Sequence, residues 1–382
     1  MYDRLALMDS LLAATAALSL YLQILLAQNP QLDVALLLGL AMGAGLLTKS
    51  SAQFFLLLLP FSLLFFNWQQ KRAGRRFLTW LFYSLIAFFL AKGIEAILRL
   101  SPFYGQIGIK NHAFILTFSE FRQAPFALFW GNLKMFTGWL GLYLSWPVLL
   151  LALLPVVRAL KDWRRFLRPF KRKIAVADFS LLLFLWFAVP FVSLAFFGKS
   201  TFPRFLLFMS VPLLALAGYQ LSRFLNLLSQ RSFQIALVVL VFASPTIVCL
   251  QILFRPTAAV IPKPDQNQYI HDWPAGWGIK EVVAFLNEQQ KKGKVLVGTE
   301  GTFGLLPHAL ELYFWDNPNV EIKSYWPVAE IPEDFLARAR QQPSYFIYYQ
   351  DQTHPRHSPV KLIAKYRQGH GHSYLRLYQV LP

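Results

Sequence analysis

Cysteine and acidic residues are both scarce in this chain of 382 residues. The single cysteine, Cys249, excludes an internal disulfide and a zinc site built from several cysteines. Asp and Glu number 19 against 37 Lys and Arg, a formal net charge of +18. No Asp-rich motif is present, which argues against a bound divalent metal without excluding one.

Hydrophobic residues, in contrast, make up 56% of the chain, whereas soluble domains average about 45–50%. Residues 1–254 contain 23 Lys and Arg, and 14 of these fall in three loops between long apolar runs, at 69–76, 158–173 and 222–232. Basic loops of this kind mark the cytoplasmic side of a polytopic membrane protein. The basic residues lie at the ends of apolar runs rather than on one soluble face, so nucleic acid is not an expected partner.

Eight apolar runs are long enough to approach the roughly 20 residues that cross a bilayer as a helix. They lie at about 9–27, 34–50, 52–67, 77–98, 134–157, 176–197, 202–221 and 233–254. The sequence therefore predicts a polytopic α-helical membrane domain over residues 1–254, with about eight spans.

Alternating the loops across these spans gives the topology. With 69–76 in the cytoplasm, the amino terminus, residues 99–133 and residues 198–201 lie outside, and 158–175 and 222–232 lie inside. The three basic loops agree with one another in this count. Residues 255–382 are then extracytoplasmic, and membrane lipids are the expected surroundings of the first domain.

Asp9 opens the first span on the predicted outer side. One interpretation is a helix N-cap, because an Asp at a helix start accepts hydrogen bonds from unpaired backbone N–H groups. The other is a carboxylate at the mouth of a membrane cavity, since carboxylates near a bilayer are costly and are often functional. The two roles are compatible.

Three cations, Lys49, Lys199 and Arg204, also lie on the predicted outer side, where the positive-inside bias disfavours them. They are either interfacial side chains that snorkel toward water or ligands of phosphate oxygens. Together with Asp9 they suggest an outward-facing site for a lipid-linked phosphate.

Glu120 is a further candidate base within the outer stretch 101–132. The stretch is amphipathic, which favours an interfacial helix with Glu120 on its wet face.

Three segments carry a resemblance to a known superfamily: Arg4–Leu12 (RLALMDSLL), Gly39–Ser50 (GLAMGAGLLTKS) and Phe197–Pro212, which begins FGKSTFPRFLL. In this order they resemble segments of the GT-C membrane glycosyltransferases, in particular the protein O-mannosyltransferases and the aminoarabinose transferase of lipid A. The resemblance covers about residues 1–254.

The resemblance implies transfer of a sugar from a polyprenyl-phosphate donor to a protein, lipid or glycan acceptor on the outer face of the membrane. Lys49 and Arg204 would hold the donor phosphate, and Asp9 would be a carboxylate on the acceptor side. In the family the main catalytic carboxylate lies in the first outer loop, and this sequence has no counterpart of that loop or of the first three helices. We therefore expect an amino-terminally shortened chain, or a partner subunit that supplies the missing helices.

The carboxy-terminal part changes character. Residues 255–275 are predicted as a linker. Residues 276–382 are predicted as a small α/β domain with a partly parallel sheet, because strand and helix patterns alternate. Gly298–Thr302 lacks the spacing of a phosphate-binding loop and is interpreted as a tight turn. Four histidines, at 354, 357, 370 and 372, fit no standard zinc spacing, so no metal site is assigned.

The sequence leaves three functions open. The chain is a GT-C-type glycosyltransferase or part of one, a non-catalytic subunit that binds lipid-linked glycans, or, least favoured, a transporter or flippase. A transporter would show repeated, broken helices and carboxylates at mid-bilayer, and the sequence shows neither.

Overall fold

A computed structural model describes residues 7–161, 176–302, 304–350 and 355–382. Asp3, Arg4, Asp162 and His354, together with most of the basic loop 158–173, lie outside the described residues. The chain divides into two compact units, Met1–Cys249 and Leu250–Pro382. Each is considered by itself.

The first unit is helical. Its helices are α1 (Met8–Gln28), α2 (Leu32–Thr48), α3 (Gln53–Leu58), α4 (Ala73–Ala96), α5 (Tyr104–Phe114), α6 (Phe118–Gln123), α7 (Phe129–Leu144), α8 (Trp146–Lys161), α9 (Val176–Phe197), α10 (Leu207–Leu227) and α11 (Arg231–Phe254). Short 3₁₀ segments precede or follow several of them, at Ser50–Ala52, Leu59–Phe65, Ile97–Leu100 and Pro203–Leu206.

Five helices of the described part are long and apolar enough to cross a bilayer, and a sixth results if α7 and α8 count as one span. The five are Met8–Gln28, Ala73–Leu100, Ala177–Phe197, Pro203–Leu227 and Arg231–Phe254. Each coincides with a predicted span. The architecture is thus mostly helical and compatible with an integral membrane protein.

The predicted span 52–67 is not one continuous α-helix. Only six residues form α3, and a 3₁₀ segment, Leu59–Phe65, continues from it. Pro60 gives a physical reason: it has no N–H to donate, and its ring clashes with the carbonyl four residues earlier.

The predicted span 134–157 is also divided, since α7 and α8 meet at an angle of 110°. Ser145, between them, has a φ of 73°, which an α-helix does not accept. Pro147 is the second residue of the new helix, in the first turn, where its missing N–H leaves no helical hydrogen bond unmade. A Cβ on Gly141 would lie 2.7 Å from the Trp146 ring, so glycine allows the sharp fold.

Small residues bring α2 and α4 close together. A Cβ added to Gly39 would lie 2.8 Å from Leu90, and one added to Gly43 would lie 2.6 Å from Ile94. Close approach of this kind replaces the hydrophobic effect as the source of helix association in a lipid environment.

The second unit is an α/β fold. It contains α12 (Lys263–Gln266), α13 (Ile279–Gln290), β1 (Val295–Glu300), α14 (His308–Tyr313), β2 (Val320–Tyr325), α15 (Glu333–Ala339), β3 (Ser344–Tyr348), β4 (Val360–Arg367) and β5 (Tyr374–Val380). The sheet order is β2-β1-β3-β5-β4. The first three strands are parallel, and β5 and β4 are antiparallel to their neighbours. The prediction of a partly parallel sheet is confirmed.

Successive side chains of the central strands point to opposite faces of the sheet, and this explains the two layers of helices in this unit. Val295 and Val297 of β1 pack on the side of α13, whereas Leu296 packs on the side of α15. Both faces of β1 are therefore buried, as a parallel strand between helices requires. The helix α14 begins only after Pro307, which occupies its N-cap position.

The predicted linker, residues 255–275, is structured. It forms short helical segments, including α12 and a turn at Asn267–His271. These segments pack on the β4–β5 turn, where the Ser373 hydroxyl contacts Asp272 at 2.5 Å. A Cβ on Gly371 would lie 1.6 Å from the His271 carbonyl oxygen, so this contact requires glycine.

Candidate functional site

A cavity of about 680 Å³ opens within the first unit. Its wall comes from the start of α1, the segment between α2 and α3, the end of α5, the last turns of α9 and the start of α10. Most of the wall is apolar, including Phe114, Phe197, Phe205 and Phe208. A cavity of this composition suits a ligand with a large hydrocarbon part and few polar groups.

Three of the residues selected from the sequence meet in this cavity: Asp9, Lys49 and Arg204. The Lys49 Nζ lies 2.5 Å from Asp9 Oδ1, and the Arg204 Nε lies 3.7 Å from Asp9 Oδ2. The carboxylate therefore lies between two cations that are 40 and 195 residues away along the chain.

Asp9 does not act as a helix cap. Leu7 occupies the cap position of α1, which has no side-chain capping hydrogen bond, and Asp9 lies in the first turn. Its side chain is 5% exposed and contacts the two cations instead. The N-cap interpretation is wrong, because the ion pair takes the carboxylate away from the backbone N–H groups.

Lys49 owes its position to the end of α2. The helix stops at Thr48, and Lys49 adopts an extended backbone before the 3₁₀ turn Ser50–Ala52. Gly45 allows the chain to fold back, since a Cβ there would lie 2.7 Å from the Phe55 ring. The Lys49 ammonium lies 4.4 Å from the centroid of the Phe205 ring.

Arg204 lies in the 3₁₀ turn Pro203–Leu206 that begins the span of α10. Its guanidinium carbon lies 4.3 Å from the centroid of the Phe202 ring and 5.6 Å from that of Phe205. Both cations thus combine a carboxylate partner with aromatic faces, which attract cations through the ring quadrupole. These contacts fix the two charges at the cavity wall.

The cavity has an excess of positive charge among its described residues. Two cations, Lys49 and Arg204, accompany one carboxylate, Asp9. Their side chains are 27%, 13% and 5% exposed, so water screens them only in part. An anion that enters this cavity gains more from the two cations than it loses to the carboxylate.

The other two predicted site residues, Lys199 and Glu120, pair with each other at 2.6 Å. Neither is among the residues that line the cavity. Glu120 also closes a capping box with Thr117 at the start of α6. The hydrogen bond from Lys199, followed by those from Thr117, lowers the pKa of Glu120 to about 2. These contacts tie the start of α6 to Lys199, which lies two residues after the end of α9.

The Lys199–Glu120 pair belongs to a set of contacts between residues 104–123 and the end of α9, which we call the latch. Its backbone part is a bridge between Ile115 and Gly198, with hydrogen bonds from Leu116 N to Phe197 O at 2.7 Å and from Lys199 N to Phe114 O at 2.8 Å. The latch brings Phe114 and Ile115 over the cavity.

Several polar residues at the cavity wall or bonded to the end of α9 carried no signal in the sequence. The Asn132 side-chain amide donates to the carbonyl oxygens of Ala195 and Gly198, at 3.1 and 2.9 Å. The Ser50 hydroxyl lies 3.3 Å from Asn111 Oδ1 at the cavity wall. Single uncharged polar residues inside apolar runs are too common to be selected without their partners.

Within the described residues, no three His, Cys, Asp or Glu side chains are grouped to hold a metal ion. Of the four histidines considered in the sequence, His370 contacts His271, whose ring Nδ1 accepts the His370 backbone N–H at 3.2 Å. The backbone N–H of His357 donates to Glu330.

Comparison of the chain with protein-family models, with curated proteins and with solved structures finds no match. The class that the structure itself defines is a mostly helical chain with five or six apolar helices of membrane-spanning length and a small α/β unit. Its distinguishing feature is a largely apolar cavity that contains one carboxylate between two cations.

Proposed function

We propose that this chain is a membrane glycosyltransferase of GT-C type, or the carboxy-terminal part of one. It transfers a sugar from a polyprenyl-phosphate donor to an acceptor on the outer face of the membrane. The observation that carries the proposal is the meeting of Asp9, Lys49 and Arg204 in one apolar cavity.

The chemistry of this cavity matches both parts of the donor. Arg and Lys bind phosphate oxygens through charge-assisted hydrogen bonds, and Arg does so with two parallel N–H groups. The phenylalanine-rich wall offers apolar contact to the isoprenoid chain. Asp9 contacts both cations and so holds them at one wall of the cavity.

The proposed reaction breaks the bond between the sugar C1 and the donor phosphate oxygen, and forms a bond from C1 to an acceptor hydroxyl oxygen. The electron pair of the broken bond leaves with the polyprenyl phosphate, whose growing negative charge Lys49 and Arg204 stabilise. The hydroxyl proton goes to a carboxylate base. Asp9 is the carboxylate that the described part of the cavity offers.

The proposed topology, with about eight spans and an extracytoplasmic carboxy-terminal domain, draws support from the same cluster. Counting loops predicts that the start of the first span, Lys49 and the 198–204 segment all lie outside. Residues from these three places line a single cavity, which requires them to lie at one end of the helices.

The test is binding of farnesyl phosphate, a short polyprenyl phosphate, to the purified chain in detergent. A charged hydrogen bond contributes about 1.5–3 kcal/mol, so Lys49→Met and Arg204→Met should each weaken binding by about 10-fold to 100-fold. Lys71→Met and Arg223→Met, which change exposed cations away from the cavity, should bind as the parent does. Unchanged binding by both cavity variants would contradict the proposal.

Transfer is measured separately, with a polyprenyl-phosphate sugar and membranes that contain the acceptor. Sugar transfer by the parent that is lost in the Lys49→Met variant supports the glycosyltransferase. Binding without transfer favours the alternative, a non-catalytic subunit that binds a lipid-linked glycan and acts with a partner.

A further inference from the structure

A second cavity, of about 430 Å³, lies between α3 and the outer half of α4. It is lined by Gln53, Phe54, Leu56, Leu57, Phe88 and Lys92. We call it the groove. Gln53 and Phe54 also line the first cavity, so α3 separates the two.

The two walls of the groove change from polar to apolar in the same direction. Gln53 begins α3, and the leucines at 56 and 57 follow one turn later. On α4, Lys92 lies near the outer end, and Phe88 lies four residues, or about 6 Å, deeper. The groove therefore has a polar end and an apolar end, as an amphiphile does.

Two lining side chains, Gln53 and Lys92, form the polar end, and Glu95 lies next to it in contact with both. The Lys92 Nζ lies 2.5 Å from Glu95 Oε2 and 3.3 Å from Gln53 Oε1. The Gln53 amide donates to Glu95 Oε1 at 2.6 Å. An ammonium has three N–H donors, of which two are used, and each carboxylate oxygen keeps lone-pair capacity beyond the one bond described. A positive and a negative group thus stand side by side, each with capacity for a further partner.

We propose that the groove binds a phospholipid with a zwitterionic phosphoethanolamine headgroup. The lipid phosphate accepts from Lys92, the lipid ammonium donates to Glu95, and an acyl chain lies along Leu56, Leu57 and Phe88. The inference rests on the membrane location in the proposed function and not on its transfer chemistry.

Charge complementarity selects this occupant over two others. A polyprenyl phosphate whose phosphate lies in the first cavity could reach the groove only with its hydrocarbon tail, which has no polar group to bond with Lys92 and Glu95. A purely anionic headgroup would be attracted by Lys92 but repelled by the neighbouring carboxylate. A headgroup that carries both charges a few ångströms apart satisfies the two side chains together.

The experiment is native mass spectrometry of the full chain after exchange into micelles that contain equal amounts of phosphatidylethanolamine and phosphatidylglycerol. The parent should retain phosphatidylethanolamine preferentially, by about 10-fold, because it makes one charge-assisted contact more. Glu95→Gln should reverse the preference toward phosphatidylglycerol, since Lys92 then lacks its carboxylate. Equal retention of the two lipids by the parent, or an unchanged preference in Glu95→Gln, would overturn the inference.

Two further variants separate headgroup from chain. Leu57→Trp should reduce retention of both lipids, because the larger ring fills the apolar part of the groove; Leu57 is 57% exposed, so the fold tolerates the change. Lys134→Met removes an exposed lysine of α7 outside the groove and should leave retention unchanged. Soluble phosphoethanolamine should not displace the lipid, and displacement would mean that the headgroup alone is bound.

Failure of this inference is distinguishable from failure of the proposed function. Lipid retention is measured without any polyprenyl phosphate, and Lys49→Met should not alter it. If the chain retains phospholipid but does not bind farnesyl phosphate, only the proposed function of the first cavity is wrong.

Discussion

Replacing Asp9 by Asn should lower the stability of the first unit and, at the same time, strengthen its binding of a phosphate. The carboxylate is 5% exposed and lies 2.5 Å from Lys49 and 3.7 Å from Arg204. Removing one partner of a buried ion pair costs about 3–5 kcal/mol, because an uncompensated charge remains. Lys49 is 27% exposed here, so solvent reduces the expected loss to about 2–3 kcal/mol.

The effect on the ligand has the opposite sign. Unit charges about 6 Å apart interact by roughly 3 kcal/mol at an effective dielectric constant of about 20. A phosphate held by the two cations lies at about this distance from Asp9, and the substitution removes that repulsion. With partial screening by water, we expect farnesyl phosphate to bind at least about 10-fold more tightly.

Both effects are measurable on one preparation. Thermal unfolding of the detergent-solubilised Asn variant, with and without farnesyl phosphate, gives the loss of stability and its recovery by the ligand, since a ligand that binds only the folded state stabilises it. Asp33→Asn, which changes an exposed carboxylate at the other end of α2 from Lys49, is the control. If the Asp9 variant is less stable and also binds the phosphate more weakly, the carboxylate contributes to the ligand site directly and the electrostatic reasoning is wrong.

Two further predictions concern carboxylates outside the cavity. Glu300 is buried at the end of β1 and accepts the two backbone N–H groups that follow β3. Its replacement by Ala should therefore lower the free energy of unfolding in urea by about 2–5 kcal/mol. The control Glu288→Ala, at an exposed position, should lower it by less than about 0.5 kcal/mol, and equal losses in the two variants would refute the argument. The pKa of Glu120 is lowered to about 2, so its pairing with Lys199 contributes fully above its ordinary pKa of about 4.5 and is lost as the pH falls toward 2. Hydrogen exchange at the Leu116 amide should accordingly be slower in the parent than in Glu120→Gln at pH 7, and the difference should narrow toward pH 3; equal rates at pH 7 would contradict the latch.

The long helices could be read from the sequence because hydropathy is summed over about twenty residues, and no single contact changes the sum. Five predicted spans coincide with long apolar helices for this reason. The break at Ser145 could not be read in this way. It depends on the Trp146 ring lying against Gly141, and this contact exists only after the chain has folded.

The cavity residues were partly predictable. Asp9, Lys49 and Arg204 stood out because a charged group at the predicted outer end of an apolar run is unfavourable unless it has a partner or a function. Lys199 stood out for the same reason, and Glu120 was a candidate base in the amphipathic stretch 101–132. The structure pairs these two residues with each other, 79 residues apart, and leaves them outside the cavity wall. The position of a charged residue in the sequence does not specify its partner, because a side chain with several hydrogen-bond donors can pair with many different acceptors.

The sequence by itself determined the apolar helices, the alternation of strands and helices in the carboxy-terminal unit, and the short set of charged residues that lie near the predicted outer surface. These follow from periodicity, hydropathy and charge, which are properties of neighbouring residues. The tertiary structure alone decided that Lys49 and Arg204 share the Asp9 carboxylate, that Lys199 pairs with Glu120, and that Gln53 and Lys92 form the polar end of a separate groove with Glu95 beside them. Each of these is a contact between distant parts of the chain, and its geometry is set by the packing of helices around it.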